Sequence, residues 1–392
     1  MTIFEKITTA MTEHPTTIEP ALCIRCKTPK SDCALCSDRC PVGAITLSGA
    51  GPEIGPDCLD CGVCYAVCPT GAFDRKRGGD EEIIAGLGER LAGKEICRIS
   101  CLRGDAEADL LVFCLGRLTE RLLLQPLHLN PLARLEIIQP LCEDCQMGGS
   151  IALFADLLTR VGHFYDLLGA GRERISITRI PLHSVRHNNT AKQNGSRREF
   201  LGAIRGKAVD VLATAMSPEH ARTGVPAPAV SERRENRKRA ALLELLRSLA
   251  AKRELKPITI PARESITAPL AVNSRCTACG ACAAVCPAGA LKLEKNSEII
   301  SLLFRADLCV NCGVCAGICR DGAVGRHETV LLSRVPTTDD VELFAAPRHE
   351  CRICRLDFIG QGVDSICPLC LDIHRRQQET IKNIFATPSR EL

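Results

Sequence analysis

Cys276-Thr-Ala-Cys279-Gly-Ala-Cys282-Ala-Ala-Val-Cys286-Pro287-Ala-Gly-Ala-Leu291 is echoed a short way on by Cys309-Val-Asn-Cys312-Gly-Val-Cys315-Ala-Gly-Ile-Cys319-Arg320-Asp-Gly-Ala-Val324. Both stretches read C-x2-C-x2-C-x3-C, and both end in Gly-Ala and an apolar residue. A short loop with this spacing can aim three thiolates inward while the fourth leaves on the element that follows. Arg320 stands where the first run has Pro287, a change beside a ligand rather than at one.

The double run resembles the bacterial two-cluster ferredoxin. The resemblance implies two [4Fe–4S] cubes with crossed ligands. One would take Cys276, Cys279, Cys282 and Cys319, the other Cys309, Cys312, Cys315 and Cys286. The crossing would lock the two halves together.

Working outward, the chain opens with a broken copy of the same unit. Cys58, Cys61, Cys64 and Cys68 with Pro69-Thr-Gly-Ala form a regular run. Its partner ends in Cys40-Pro41-Val-Gly-Ala-Ile and has Cys36 and Cys33 at the expected steps, but Lys30 where a first cysteine belongs. Cys23 or Cys26 is expected to supply the missing ligand, leaving the other spare. Loss of this cluster, or a three-iron form, is the plainer alternative. The repeat predicts two dicluster modules, 1–78 and 271–330, and four [4Fe–4S] clusters in all.

Cys351, Cys354, Cys367 and Cys370 form two C-x2-C knuckles, which predict a zinc-ribbon-like hairpin across 331–392. The second knuckle is similar to rubredoxin, which would hold iron. Arg355 and Leu371 follow where rubredoxin knuckles continue with glycine, and zinc is favoured.

The remaining cysteines, Cys97, Cys101, Cys114, Cys142 and Cys145, lie in segment 79–185. Asp109–Cys114, Leu135–Ile138 and Arg174–Ile180 read as strands, separated by leucine-rich helical stretches that start near Gly116 and Gly148-Gly149. The order β-α-β-α-β predicts a parallel sheet, with the cysteines gathered beyond its carboxyl edge. The segment resembles the delta subunit of methyl-viologen-reducing hydrogenase in Cys114-Leu-Gly-Arg-Leu, Cys142-Glu-Asp-Cys145, Gly148-Gly149 and Leu168-Gly-Ala-Gly-Arg-Glu-Arg. That resemblance covers 94–182 and implies a [2Fe–2S] cluster on four of the five cysteines. A zinc site, or an α/β domain with cysteines left over, is the plainer reading.

Residues 186–270 read as a linker with amphipathic helices. It holds the polar HNNTAKQNGS, a Ser196-Arg-Arg-Glu-Phe-Leu201 motif, a Pro/Ala-rich stretch at 218–230 and a basic helix over Glu232–Lys256. The arginine pair reads as a capped helix start, because Arg205, Lys207 and Asp210 interrupt any apolar run behind it. A solvated face is the ordinary reading of the basic helix; docking of an acidic redox partner is the sharper one.

Composition excludes several classes. All 26 cysteines fall in four groups, which disfavours scattered core thiols. No apolar run is long enough to span a membrane, and the first 20 residues lack a secretory h-region, so a cytoplasmic chain with reduced thiols is expected. A net charge of +4 is too mild to argue for nucleic acid. Gly49-Ala-Gly51 and Gly169-Ala-Gly171 lack the strand–glycine–helix context of a dinucleotide site. His14, His128, His163 and His183 are isolated.

The sequence thus predicts an α+β multidomain iron–sulfur electron-transfer protein: two ferredoxin-like modules, a central parallel α/β domain and a terminal ribbon, acting with a redox partner protein. A subunit of a heterodisulfide-reductase-like or hydrogenase-associated oxidoreductase, with chemistry at the central cluster, is the second reading. A cluster-carrying maturation factor is the third.

Overall fold

The computed structural model describes residues 14–28, 31–182, 235–359 and 365–385. The polar stretch at 187–196, the Ser196–Leu201 motif and the Pro/Ala-rich 218–230 lie outside the described residues.

The first cysteine-rich unit runs β1 (Thr16–Ile18), α1 (Ile24–Lys27), α2 (Leu35–Asp38), the hairpin β2 (Ile45–Ser48) and β3 (Gly51–Ile54), α3 (Val63–Val67) and β4 (Phe73–Arg75). β1 closes antiparallel on β4, with Ile18 opposite Phe73. Its core is small: Ile45, Tyr65, Ala72 and Phe73 pack with cysteines.

The central domain follows as α4 (Asp80–Arg90), β5 (Ile96–Cys101), β6 (Leu110–Val112), α5 (Glu120–Leu129), β7 (Arg134–Pro140), α6 (Ile151–Leu167) and β8 (Ile175–Ile180). Its sheet is parallel throughout, in the order β6-β5-β7-β8. The sequence reading found three of these strands. The fourth, β5, is a middle strand whose sequence, Ile-Cys-Arg-Ile-Ser-Cys, breaks a simple apolar pattern with two cysteines, an arginine and a serine. The connections from β5 to β6 and from β6 to β7 leave in opposite directions, so a crevice forms beyond the carboxyl ends of β5 and β7.

After the undescribed segment comes α7 (Arg237–Ala250), then β9 (Thr259–Pro261). α7 is not a free helix in a linker. Leu242, Leu243, Leu245, Leu246 and Leu249 are buried in the same core as Leu122, Leu123 and Leu127 of α5 and Phe164 of α6.

The second cysteine-rich unit repeats the order of the first without a counterpart of α1: β10 (Leu270–Val272), α8 (Ala281–Ala284), the hairpin β11 (Leu291–Lys295) and β12 (Ile299–Arg305), α9 (Val314–Ile318) and β13 (Val324–Arg326). β10 closes on β13 with Val272 opposite Val324. β14 (Thr329–Leu331) pairs back with β9. Then β15 (Asp340–Glu350) adds to β12, β16 (Asp357–Ile359) adds to β15, and α10 (Pro368–Phe385) ends the described chain. The expected hairpin between the two terminal knuckles is therefore placed differently. Its strands flank the first knuckle, with Glu350 opposite Asp357, and its first strand belongs to the second unit's sheet.

Candidate iron–sulfur and metal centres

Four Cys-x2-Gly-Ala returns adopt one geometry. Their glycines, Gly43, Gly71, Gly289 and Gly322, have φ of 64°, 70°, 69° and 56°, a conformation that glycine adopts without steric cost. Each turn aims the following alanine N–H at the cysteine sulfur: Ala44 at Cys40 (3.3 Å), Ala72 at Cys68 (3.3 Å), Ala290 at Cys286 (3.2 Å) and Ala323 at Cys319 (3.2 Å). Backbone donors aimed at sulfur in this way are among the contacts that tune a cluster held by cysteines. Three approach loops also match. Asp60, Ala278 and Asn311 sit at φ 51°, 51° and 54°, each followed two residues later by a left-handed glycine, Gly62, Gly280 or Gly313. The Cys33–Cys40 run has neither feature.

The sulfurs gather in crossed sets. Cys40 of one run lines a small cavity with Cys58, Cys61 and Cys64 of the other. Cys286 lines a matching one with Cys309, Cys312 and Cys315. Cys68 lines a third with Cys33, Cys36 and Cys23. Cys276 feels the charges of Cys279 and Cys319, and Cys282 those of Cys276 and Cys279. Cys26 does not line the Cys68 cavity; its sulfur lies against Cys23, and its thiol donates to the Ala50 carbonyl at 3.3 Å.

Burial pushes the Cys64 and Cys315 thiols up to about 12 and Cys36 to about 11, and neighbouring sulfurs add to each shift. Clustered thiols in an apolar shell hold their protons until a cation replaces them. Soft sulfur donors with backbone N–H groups aimed at them fit iron–sulfur clusters.

In the central domain, Cys101 ends β5, Cys114 follows β6, and Cys142 and Cys145 follow β7. Cys142 feels the charges of Cys101, Cys114 and Cys145, after burial as the largest effect, and is pushed up to about 11. Cys97 is separated from them. It lies at the amino end of β5, four residues or about 13 Å of strand from Cys101. It is buried in the leucine core, where burial and then Asp109 push it up to about 12. Of the five sequence candidates the fold therefore gathers four and leaves Cys97 in the core.

Two neighbours of this site were missed in the sequence. Ser150 Oγ lies 3.0 Å from Cys114 Sγ and donates to the Met147 carbonyl at 2.7 Å. Met147, Cys114 and Cys145 also pack against Cys61 and Val63, so the Cys58–Cys64 loop and the central site share a wall. The junction is fixed by a buried ion pair, Arg117 to Asp80 at 2.8 Å with side chains 3% and 2% exposed. Thr119 Oγ1 donates to the other oxygen of Asp80 at 2.7 Å.

At the end of the chain, the sulfurs of Cys351, Cys354, Cys367 and Cys370 all lie within 4.8 Å of one another, a group that could hold a metal ion. Burial pushes the Cys351 thiol up, but the amides of Cys354, Cys367 and Ile353 outweigh it and bring it to about 6. Arg355 takes φ 60°, at the position where a rubredoxin knuckle would have glycine.

A family model described as a 4Fe–4S dicluster domain matches residues 275–323. Comparison with curated proteins finds no match for the chain. The second cysteine-rich unit is thus a ferredoxin-type module, and together with the other cysteine groups it supports 4Fe–4S binding and an iron–sulfur electron-transfer role. No helix among the described residues is long and apolar enough to cross a membrane.

Proposed function

We propose that the chain relays single electrons between a donor and an acceptor protein through four [4Fe–4S] clusters and a central [2Fe–2S] cluster, with a structural zinc in the terminal ribbon. Bound clusters change charge by one electron with little change in geometry, so a row of them conducts. The observation that carries this reading is the fourfold Cys-x2-Gly-Ala return, whose N–H···S contacts recur in the unmatched first unit as in the matched second. Cys40, Cys58, Cys61 and Cys64 would hold one cluster of the first unit, and Cys23, Cys33, Cys36 and Cys68 the other. Cys101, Cys114, Cys142 and Cys145 would hold the central cluster. Cys279, the one exposed cysteine of the 26, puts its cluster where a partner can approach.

Anaerobically reconstituted protein should contain about 18 irons and one zinc per chain. A fully reconstituted preparation with only about eight irons would confine the clusters to the second unit. Cys286→Ser should damage the Cys309 cluster and spare the Cys276 cluster.

One observation favours a second reading. Cys142 is half-buried at the carboxyl edge of the parallel sheet, where ligands commonly bind. Sustained NADH oxidation or disulfide reduction by the metallated chain, abolished by Cys142→Ser, would make the protein an enzyme rather than a carrier.

A further inference from the structure

The first turn of α7 reaches both cysteine-rich units with adjacent side chains. Lys238 Nζ donates to the carbonyls of Tyr65 (2.8 Å), Ala66 (3.0 Å) and Cys68 (2.6 Å). It thereby closes the carboxyl end of α3, whose last carbonyls have no partner within the helix. The helix cap Asn236 adds a bond from its Nδ2 to the Pro69 carbonyl at 2.9 Å. Arg239, only 9% exposed, turns to the other unit. Its Nε donates to the Asp307 carbonyl at 2.9 Å, and a terminal nitrogen donates to the Cys309 carbonyl at 2.9 Å.

These partners are neutral carbonyls, and the nearest carboxylates already hold other cations: Glu120, which faces both side chains, is paired with Arg160 at 2.7 Å, and Asp80, which faces Lys238, with Arg117 at 2.8 Å. The nearby Asp307 carboxylate is bonded instead to Arg305 and Arg247. Cys68 lines the cavity with Cys23, Cys33 and Cys36, and Cys309 lines the one with Cys286, Cys312 and Cys315. Consecutive Cα atoms are 3.8 Å apart, so two cluster loops from different units are held from a single point. The Cys58 loop instead backs onto the central site, and the Cys276 loop carries the exposed Cys279.

We propose that the first turn of α7 is the electron crossing between the two units, and that Lys238 and Arg239 raise the reduction potentials of the clusters on either side of it. The proposal rests on the relay reading above. One electron leaves the Cys309 cluster and one arrives at the Cys68 cluster, or the reverse; no bond forms or breaks and no proton is required. The adding of an electron makes a cluster more negative, and a fixed cation at short range, with water excluded, favours that form.

The test is an EPR-monitored titration of the full reconstituted chain with dithionite, with each signal assigned by cysteine-to-serine variants. Lys238→Gln should make the Cys68 cluster harder to reduce, and Arg239→Gln the Cys309 cluster. Each effect should be on the order of tenfold in the oxidised-to-reduced ratio at fixed potential. Lys238→Arg and Arg239→Lys should restore the wild-type ratios. Unchanged ratios in both glutamine variants at full iron content, or equal shifts in all four clusters, would overturn the proposal. The wild-type protein gives a second readout that no misfolded variant can spoil: within each unit, the cluster beside α7 should be reduced first, and the opposite order in both units would overturn it. A wild-type chain without a Cys68 cluster would overturn the relay reading and the crossing together, whereas four clusters with unshifted potentials would sink the crossing alone.

Discussion

The two cysteine-rich units share the order strand, helix, hairpin, helix, strand, with the extra helix α1 in the first, and both close their end strands on each other, but the first leans more heavily on the central domain. In the second, eight cysteines stand at regular steps, and both approach loops carry the left-handed pair of residues. In the first, one run lacks its leading cysteine, and Cys23 reaches the cavity from the turn before α1 instead. That unit has anchors the second lacks. Arg75 pairs with Asp60 at 2.8 Å, where the second unit has Ala278 and Asn311 at the equivalent positions. Val63 and Cys61 pack on the central domain, and Arg117 and Asp80 pin the exit from β4. The irregular cysteine spacing of the first unit thus coincides with extra packing from the adjoining domain around its backbone.

The comparison is most exposed to failure at Cys23. Cys23→Ser is expected to remove about four irons of the roughly 18 and to leave the second unit's EPR signals intact, whereas Cys26→Ser should leave the iron content unchanged. Metal analysis of both variants checks this, and the reverse result would move the ligand to Cys26.

Next in size is the junction. Arg117→Met would leave the Asp80 carboxylate buried without its cation, at a cost of about 3–5 kcal/mol. Thermal unfolding followed in the visible absorption should show the first unit's clusters bleaching at lower temperature, with the second unit's transition unmoved. A common shift of both transitions would mean that the two units unfold as one body.

The terminal knuckles give a smaller effect. Cys354→Ser is expected to cost the protein one zinc and the order of the turn between β15 and β16, with the iron–sulfur absorption unchanged. Loss of a visible band together with one iron would assign a rubredoxin-type iron instead.

The smallest effect is expected at Ala278, a residue with a Cβ in left-handed backbone. Ala278→Gly should relieve strain of about 1 kcal/mol and slow the loss of iron from the Cys276 cluster in air. Faster loss would show that the loop needs the stiffness of alanine more than relief from the strain.

Much of this chemistry was legible because ligand spacing is a local property. The steps between cysteines, and the Gly-Ala endings after them, already mark off the matched unit at 275–323 and sort the other cysteines into three further groups. What could not be read depends on distant parts of the chain. Whether Cys23 or Cys26 enters the cavity is decided by how one turn packs against Ala50 and Leu47. Cys97 carries no local mark that distinguishes it from Cys101; both border the leucine core, and only the direction of β5 puts Cys101 at the end where Cys114 and Cys145 reach it. The basic helix near 237–250 resembled a solvated face, because a sequence does not reveal which backbone carbonyls a lysine or arginine will find. The ribbon's first strand was missed because β15 reads equally well as part of the preceding unit, and in the fold it is part of both.

That shared strand has a practical consequence for anyone dividing the protein. β15 covers one side of β12, pairing along its length from Ile299 opposite Pro347 to Arg305 opposite Asp340. A chain ending before Asp340 would strip that cover and present β12, with Ile300, Leu302 and Phe304 alternating along it, as a bare sheet edge open to other copies of itself. A chain ending at Glu350 would lose the ribbon yet keep the edge closed. The boundary between ferredoxin-type unit and ribbon is therefore a single covalent strand that guards one from aggregation while it builds the other.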